Sequence, residues 1–176
     1  YKAIEDILKS IGNVGDITKT AKTVFKLFKS SLENAYQNLE VTPYEGVESL
    51  FKVLRANEIT VVLNTGYDYK TANTLLKKLN WEVGTTVDAL ITADDVKIGR
   101  PTSEMIHKAM EMFYISNPKQ VLKAGDSIID IEEGKNANCG ITVGVLTGAH
   151  TRAQLQQANP SFILNSLSAL EKILLK

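Results

Sequence analysis

Short, uninterrupted apolar runs separated by helix-length segments constrain this chain most. The runs are Ile59 to Leu63, Ala89 to Thr92, Val121 to Ala124, Ile141 to Leu146 and Phe162 to Leu164. A strand with one wet face alternates apolar and polar residues; a run that is apolar throughout is covered on both faces, as in a parallel sheet with helices on either side. The intervening segments have helical spacing: Val47, Leu50, Phe51 and Leu54, then Ala72, Leu75, Leu76 and Leu79 within residues 68–79. Further helices are predicted over Ser103 to Phe113, Ile128 to Asn138, Thr151 to Ala158 and Leu167 to Leu175. Alternation of this kind predicts a doubly wound α/β domain.

A helical lobe precedes it. Ile4, Ile7, Leu8 and Ile11 mark one helix, broken at Gly12-Asn13. From Asp16 to Leu39 the stripe Ile17, Ala21, Val24, Phe25, Phe28, Leu32, Ala35, Tyr36, Leu39 marks a longer one, with Lys19, Lys22, Lys26 and Lys29 opposite. Val41-Thr42-Pro43 ends the lobe, so residues 1–43 and 44–176 are read as two domains. The lysine row is a solvated face, because 20 Lys+Arg balance 20 Asp+Glu. A zero net charge removes the electrostatic case for a nucleic-acid or anionic-membrane partner. The single cysteine, Cys139, excludes an intrachain disulfide framework and a cysteine-rich zinc site. No apolar run reaches the roughly 18 residues of a membrane span, and a reducing, cytoplasmic setting is expected.

In open parallel sheets ligands sit at the carboxyl ends of the strands. After the first run comes Asn64-Thr65-Gly66-Tyr67-Asp68. The Thr65 hydroxyl can donate to an oxyanion and Gly66 lets the backbone approach; alternatively Thr65 or Asp68 caps the next helix. After the second come Asp94 and Asp95, read as solvated loop acids, then Lys97, Gly99, Arg100 and Pro101. Pro101 suits the first turn of a helix, and Arg100, or Lys97 in its place, can neutralise phosphoryl oxygens. After the third come Gly125-Asp126-Ser127 and Asp130. Two carboxylates one helical turn apart suit a hard cation such as Mg²⁺; helix capping explains Asp126 better than Asp130. After the fourth, Thr147-Gly148 is expected to line the pocket, and His150 is either a proton donor or a surface histidine at a helix start. Hydroxyl, cation and paired acids after three different strands make a phosphoryl pocket, and no glycine-rich dinucleotide loop, P-loop or His-Glu-x-x-His motif competes.

This arrangement resembles the haloacid dehalogenase superfamily, and within it the phosphonoacetaldehyde hydrolase (phosphonatase)-like group. The matching stretches are Leu63 to Asp68, Trp81-Glu82-Val83-Gly84 with Val87-Asp88-Ala89, Asp95 to Pro101, Gly125-Asp126-Ser127 with Asp130, and Val143 to His150. The resemblance implies a Rossmann-like core with a helical cap, residues 1–43 being part of the cap. It implies Thr65, Arg100 and Asp126 as catalytic residues, Thr65, Gly66 and Arg100 as substrate-binding residues, and Asp126 and Asp130 as ligands of a Mg²⁺ cofactor. The expected partner is a small phosphonate or phosphate monoester, hydrolysed through an aspartyl-phosphate; a homodimer is compatible with this reading, whereas nucleic acid and membrane are not expected.

The resemblance also places the nucleophilic Asp on a first strand, in an Asp-x-Ala-Gly-Thr motif that these residues lack, so the core is expected to be short of its central strand. The resemblance places a cap lysine that forms a Schiff base with phosphonoacetaldehyde just before Tyr1, with Lys2, one or two positions off, as the nearest candidate. Other readings are a phosphoglycolate-type phosphatase and a non-catalytic ligand-binding protein of the same fold. A phospho-accepting receiver domain is disfavoured by the front lobe and the motif order.

Overall fold

The computed structural model describes residues 2–12 and 15–175, with the backbone alone for Lys2, Ala3 and Glu33. Asn13 of the predicted helix break and the Lys2 side chain therefore lie outside the described residues. The chain divides into two compact units, Tyr1–Glu40 and Val41–Lys176. In the first, α1 (Lys2–Ile11) packs against α2 (Ile17–Asn38). Asp16 starts α2 by accepting the Lys19 N–H at 3.0 Å, as an N-cap does. Ala21 in the predicted stripe is buried and Ile17, Phe25, Leu32 and Tyr36 are half-buried, whereas Val24 and Phe28 are exposed. The four lysines opposite are exposed.

The second unit is α/β, with every strand pair parallel. Strand β1 (Val62–Asn64) pairs with β2 (Ala89–Ile91). Strands β3 (Leu122–Gly125), β4 (Ile141–Val145) and β5 (Phe162–Leu164) form a second sheet in that order. Helices α3 (Val47–Ala56), α4 (Tyr69–Lys78), α5 (Glu104–Met112), α6 (Ile128–Asn136), α7 (Arg152–Gln157) and α8 (Glu171–Leu174) alternate with them. Leu50, Phe51 and Leu54 of α3 pack with Val61, Val87, Val143, Val145 and Leu170. Each such aliphatic side chain contributes about 1.5–3 kcal/mol on burial. A smaller cluster joins Ile106 and Met110 of α5 to Ala137 and Cys139. Trp81 meets Phe51 edge-on, ring centroids 5.2 Å apart, and donates its indole N–H to Glu48 at 2.8 Å.

Element boundaries differ from the sequence pattern where side chains compete for backbone groups. β1 begins at Val62 rather than Ile59, because the Val61 N–H is taken by the Asp88 carboxylate at 2.8 Å. Asp88 is itself held by Arg55 at 3.0 Å. Thr92 leaves β2 to cap a 3₁₀ turn, Ala93–Asp95. α5 starts at Glu104, so Pro101 precedes the helix instead of occupying its first turn. The Glu104 carboxylate accepts the Lys97 and Ile98 N–H groups at 2.9 and 3.1 Å, which ties the preceding loop to the helix start. The closing helix splits into a 3₁₀ turn, Leu167–Leu170, followed by α8.

Among the described residues, β1 and β3 are each paired on one side only. Both line a cavity of 670 Å³, walled otherwise by apolar side chains of α3, α5 and the C-terminal turns, including Leu50, Ile106 and Leu170. The two sheets thus face an apolar cleft with unpaired backbone on either side, an arrangement that invites a further strand.

Candidate active site

A second cavity, of 530 Å³, opens at the carboxyl ends of β1 and β3. Thr65, Gly66, Arg100, Asp126 and Asp130 all line it. The five residues proposed from sequence, four on three separate loops and Asp130 in the first turn of α6, are therefore brought together. Lys97, the rival cation, is exposed and is not on the lining.

Each side chain is placed by its own local structure. Thr65 continues the β1–β2 ladder, donating its N–H to Ile91 at 2.9 Å. Its hydroxyl oxygen accepts the Tyr67 N–H at 3.2 Å, which leaves the hydroxyl hydrogen for a ligand. Capping of α4 falls to Asp68, which accepts the Thr71 N–H at 2.8 Å. Arg100 lies against Gly66; a Cβ there would stand 3.1 Å from the guanidinium. Its Nη1 donates to Asp130 Oδ1 at 2.6 Å.

The two acids occupy different environments. Asp130 is buried, and it closes a capping box with Ser127, whose hydroxyl donates to Asp130 Oδ2 at 2.6 Å. Capping thus involves Asp130, contrary to the sequence expectation; Asp126 lies before the cap, in the loop. Burial alone would raise the Asp130 pKa. The Lys123 ammonium, the Ser127 hydroxyl and the Arg100 guanidinium outweigh it, and the pKa is lowered. Asp126 is only partly buried and accepts the Ala149 N–H at 2.6 Å. Glycine makes both placements feasible: a Cβ on Gly125 would overlap the Asp130 side chain, and one on Gly148 would overlap the Asp126 carboxylate. Thr147-Gly148 consequently backs Asp126 and does not line the cavity.

The donor set fits a hard cation. Both carboxylates border one cavity, and Asp126 Oδ1 takes no hydrogen bond among the described residues. No group of three or more His, Cys, Asp and Glu gathers there among the described residues. Two carboxylates nonetheless suffice for Mg²⁺, which completes its shell with water and substrate oxygens.

Other candidates move away from chemistry. The His150 Nδ1 accepts the Ile128 N–H at 2.9 Å, so this half-buried imidazole serves the start of α6. Asp95 and Asp94 are structural instead of free loop acids. Asp95 accepts from the Thr92 N–H and hydroxyl, both at 2.8 Å, and pairs with Lys108 at 3.3 Å. The Thr92 backbone hydrogen bond leads the effects that lower its pKa. Asp94 accepts the Tyr69 N–H at 2.9 Å. Burial pushes the Cys139 thiol up to about 11, which makes it a poor nucleophile at neutral pH.

The family model of haloacid dehalogenase-like hydrolases matches residues 3–145. The chain belongs to this family. It is 28% identical to the phosphonoacetaldehyde hydrolase of Latilactobacillus sakei subsp. sakei (strain 23K), over 87% of this chain and 65% of the relative. It is 31% identical to the protein of that name from Parabacteroides distasonis, over 82% of this chain and 59% of the relative. The chain thus spans about 59–65% of the length of these two curated relatives. Among solved structures, a phosphonoacetaldehyde hydrolase like protein from Oleispira antarctica superposes with a TM-score of 0.79 at 23% identity, covering 98% of this chain and 70% of that one. A predicted phosphoglycolate phosphatase from Haemophilus somnus 129pt gives 0.72 at 21% identity, covering 91% and 68%. At those identities the likeness is one of fold.

Beneath this cavity lies a buried polar cluster absent from the sequence expectations. Lys123 Nζ donates to Asn64 Oδ1 at 2.9 Å and stands 3.2 Å from Asp130 Oδ1 and 2.9 Å from Glu133 Oε2. Asn64 Nδ2 donates to Glu133 Oε1 at 2.8 Å. The Lys123–Glu133 contact is an ion pair outside hydrogen-bond geometry, so Oε2 has no hydrogen-bond partner among the described residues. A lysine inside an otherwise apolar strand was the available signal, because a buried ammonium requires a partner.

Proposed function

We propose that this chain supplies most of the phosphoryl pocket of a Mg²⁺-dependent, phosphonatase-like hydrolase acting on a small phosphonate or phosphate monoester. One observation supports it above the rest: the Thr65 hydroxyl, the Arg100 guanidinium and the Asp126 and Asp130 carboxylates border a single 530 Å³ cavity at the strand ends. In this reading Thr65 donates to one phosphoryl oxygen and Arg100 offsets charge on the others, so that both stabilise charge that grows in the transition state. Asp126 and Asp130 would hold the cation, which when bound neutralises phosphoryl oxygens. The nucleophilic Asp would stand at the carboxyl end of a strand that fills the cleft between β1 and β3, and a covalent aspartyl-phosphate would form and hydrolyse. Residues 1–43 would be part of a cap.

The phosphonate side of the reading rests on the names of the curated relatives; the ester side rests on the phosphoglycolate phosphatase fold neighbour. The test is a screen of the full-length protein, with and without Mg²⁺, against phosphonoacetaldehyde and a panel of small phosphate monoesters. Mg²⁺-dependent phosphate release from the phosphonate supports the first, and release from esters alone the second. No release from any of them, with ligand binding retained, would mark a non-catalytic member of the fold.

A further inference from the structure

Strands β3 and β4 are parallel neighbours with Gly125 in register with Gly144, so the loops that follow them leave the sheet side by side. The β3 loop carries Asp126. Two consecutive residues of the β4 loop reach across to it. The Ala149 N–H donates to Asp126 Oδ2 at 2.6 Å, and the His150 N–H donates to the Asp126 carbonyl at 3.1 Å. The Ile128 N–H donates to His150 Nδ1 at 2.9 Å. His150 therefore grips the chain on both sides of Ser127, the N-cap of α6.

The imidazole meets a specific need. The first N–H groups of a helix have no carbonyl within it to bond. The capping box of α6 serves Ser127 and Asp130, whose N–H groups find Asp130 Oδ2 at 3.2 Å and Ser127 Oγ at 3.4 Å. Ile128 stands between them and takes its acceptor from His150. Acceptance at Nδ1 selects the neutral tautomer with the proton on Nε2. The loop that carries His150 is itself anchored at both ends. The Leu146 N–H donates to Leu164 at 3.0 Å and the Tyr44 hydroxyl to the Thr147 carbonyl, while Thr151 caps α7. His150 lies outside the lining of the polar cavity, so any influence on chemistry passes through Asp126.

We propose that His150 is a positioning residue for Asp126: by bracing Ile128 and the Asp126 carbonyl it keeps Asp126 Oδ2 on the Ala149 amide and leaves Oδ1 for a cation. This rests on reading Asp126 as a ligand of Mg²⁺. Groups that orient a metal ligand commonly alter metal affinity by about 10–100-fold without touching the metal.

The test is calorimetric titration of the full-length protein with Mg²⁺ after three substitutions. His150→Phe removes the acceptor. His150→Asn sets an oxygen near the place of Nδ1, and His150→Gln sets it near Nε2, away from the Ile128 amide. His150→Phe and His150→Gln are expected to weaken Mg²⁺ binding about tenfold, and His150→Asn to recover most of the wild-type affinity. A purely structural histidine would lower the thermal midpoint and leave the affinity of the folded protein unchanged. Unchanged affinity in folded His150→Phe, or equal affinities in the Asn and Gln variants, overturns the proposal; should His150→Phe not fold, the Asn and Gln pair decides. Wild-type protein that binds no Mg²⁺ counts against the proposed function, and the brace is then read without metal. The Ala149 amide, bonded to Asp126, should exchange about tenfold faster relative to the Leu146 amide in His150→Gln, with recovery in His150→Asn. Equal acceleration of both amides, or none, overturns the brace.

Discussion

The two cavities of the α/β unit are similar in size and opposite in character. One holds 670 Å³ and is walled by aliphatic and aromatic side chains between β1 and β3; the other holds 530 Å³ and is lined by hydroxyl, guanidinium, ammonium and carboxylate groups at the strand ends. They share Asn64, Lys123 and Ala124. The apolar one is a folding feature, in which side chains of three helices face strand edges that are unpaired among the described residues. The polar one is a chemical feature, in which each group already has a fixed partner. Volume is therefore a poor guide to function here: the larger space is lined mainly by apolar side chains, with Glu58, Thr60 and Gln120 as its polar members outside the shared rim.

The contrast is broken or sharpened by substitutions on each side. Asp126→Ala in the full-length protein should have the largest effect, reducing Mg²⁺-dependent turnover by about 10³-fold or more with little change in thermal unfolding. Unchanged turnover would remove the metal assignment and with it the chemical half of the comparison. Glu133→Ala, beneath the shared rim, should destabilise the fold by about 3–5 kcal/mol in urea, because it leaves Lys123 with one carboxylate fewer in a buried setting. Leu50→Ala, deep in the apolar wall, should cost about 2–5 kcal/mol of stability while KM stays constant. A changed KM there would mean that the two cavities are coupled more closely than their linings suggest. Arg100→Ala should lower turnover by about 10²-fold with the fold kept, because Asp130 still has Lys123 and Ser127. An unfolded Arg100→Ala protein would instead assign that arginine to structure.

The smallest effect is on pH dependence. Asp130 has a folded pKa below its ordinary 3.8, so the unfolded chain binds the proton more readily. Its contribution to stability is complete above 3.8 and is lost as pH falls through the lowered folded value. Urea unfolding from about pH 5 down to about pH 2 should show this loss in the wild type and not in Asp130→Asn. A steeper acid loss in the variant would contradict the sign.

How legible the site was depended on what each residue does locally. Thr65, Arg100, Asp126 and Asp130 could be proposed because each follows an apolar run, and runs of that kind announce strand ends. Lys123 and Glu133 were not found, because neither stands at a strand end and their partners are far along the chain. Asp95 was misread for a related reason. Its partner Thr92 is three residues away, a separation at which turns and free loops look alike in sequence, and its ion pair with Lys108 is tertiary. Likewise His150 and Asp126 lie 24 positions apart by number, yet the loop carrying one supports the helix and carboxylate of the other.

Periodicity and local spacing, which depend only on neighbouring residues, determined the alternation of helices and parallel strands and the order of the loops that carry chemistry; the structure then assigned the α4 cap to Asp68 instead of Thr65. Contacts between distant segments decided the rest: a carboxylate shared between a guanidinium and an ammonium, and glycines that admit Asp126 and Asp130 where no Cβ would fit. Such contacts depend on the packing of elements in three dimensions, and the spacing of residues along the chain does not encode that packing.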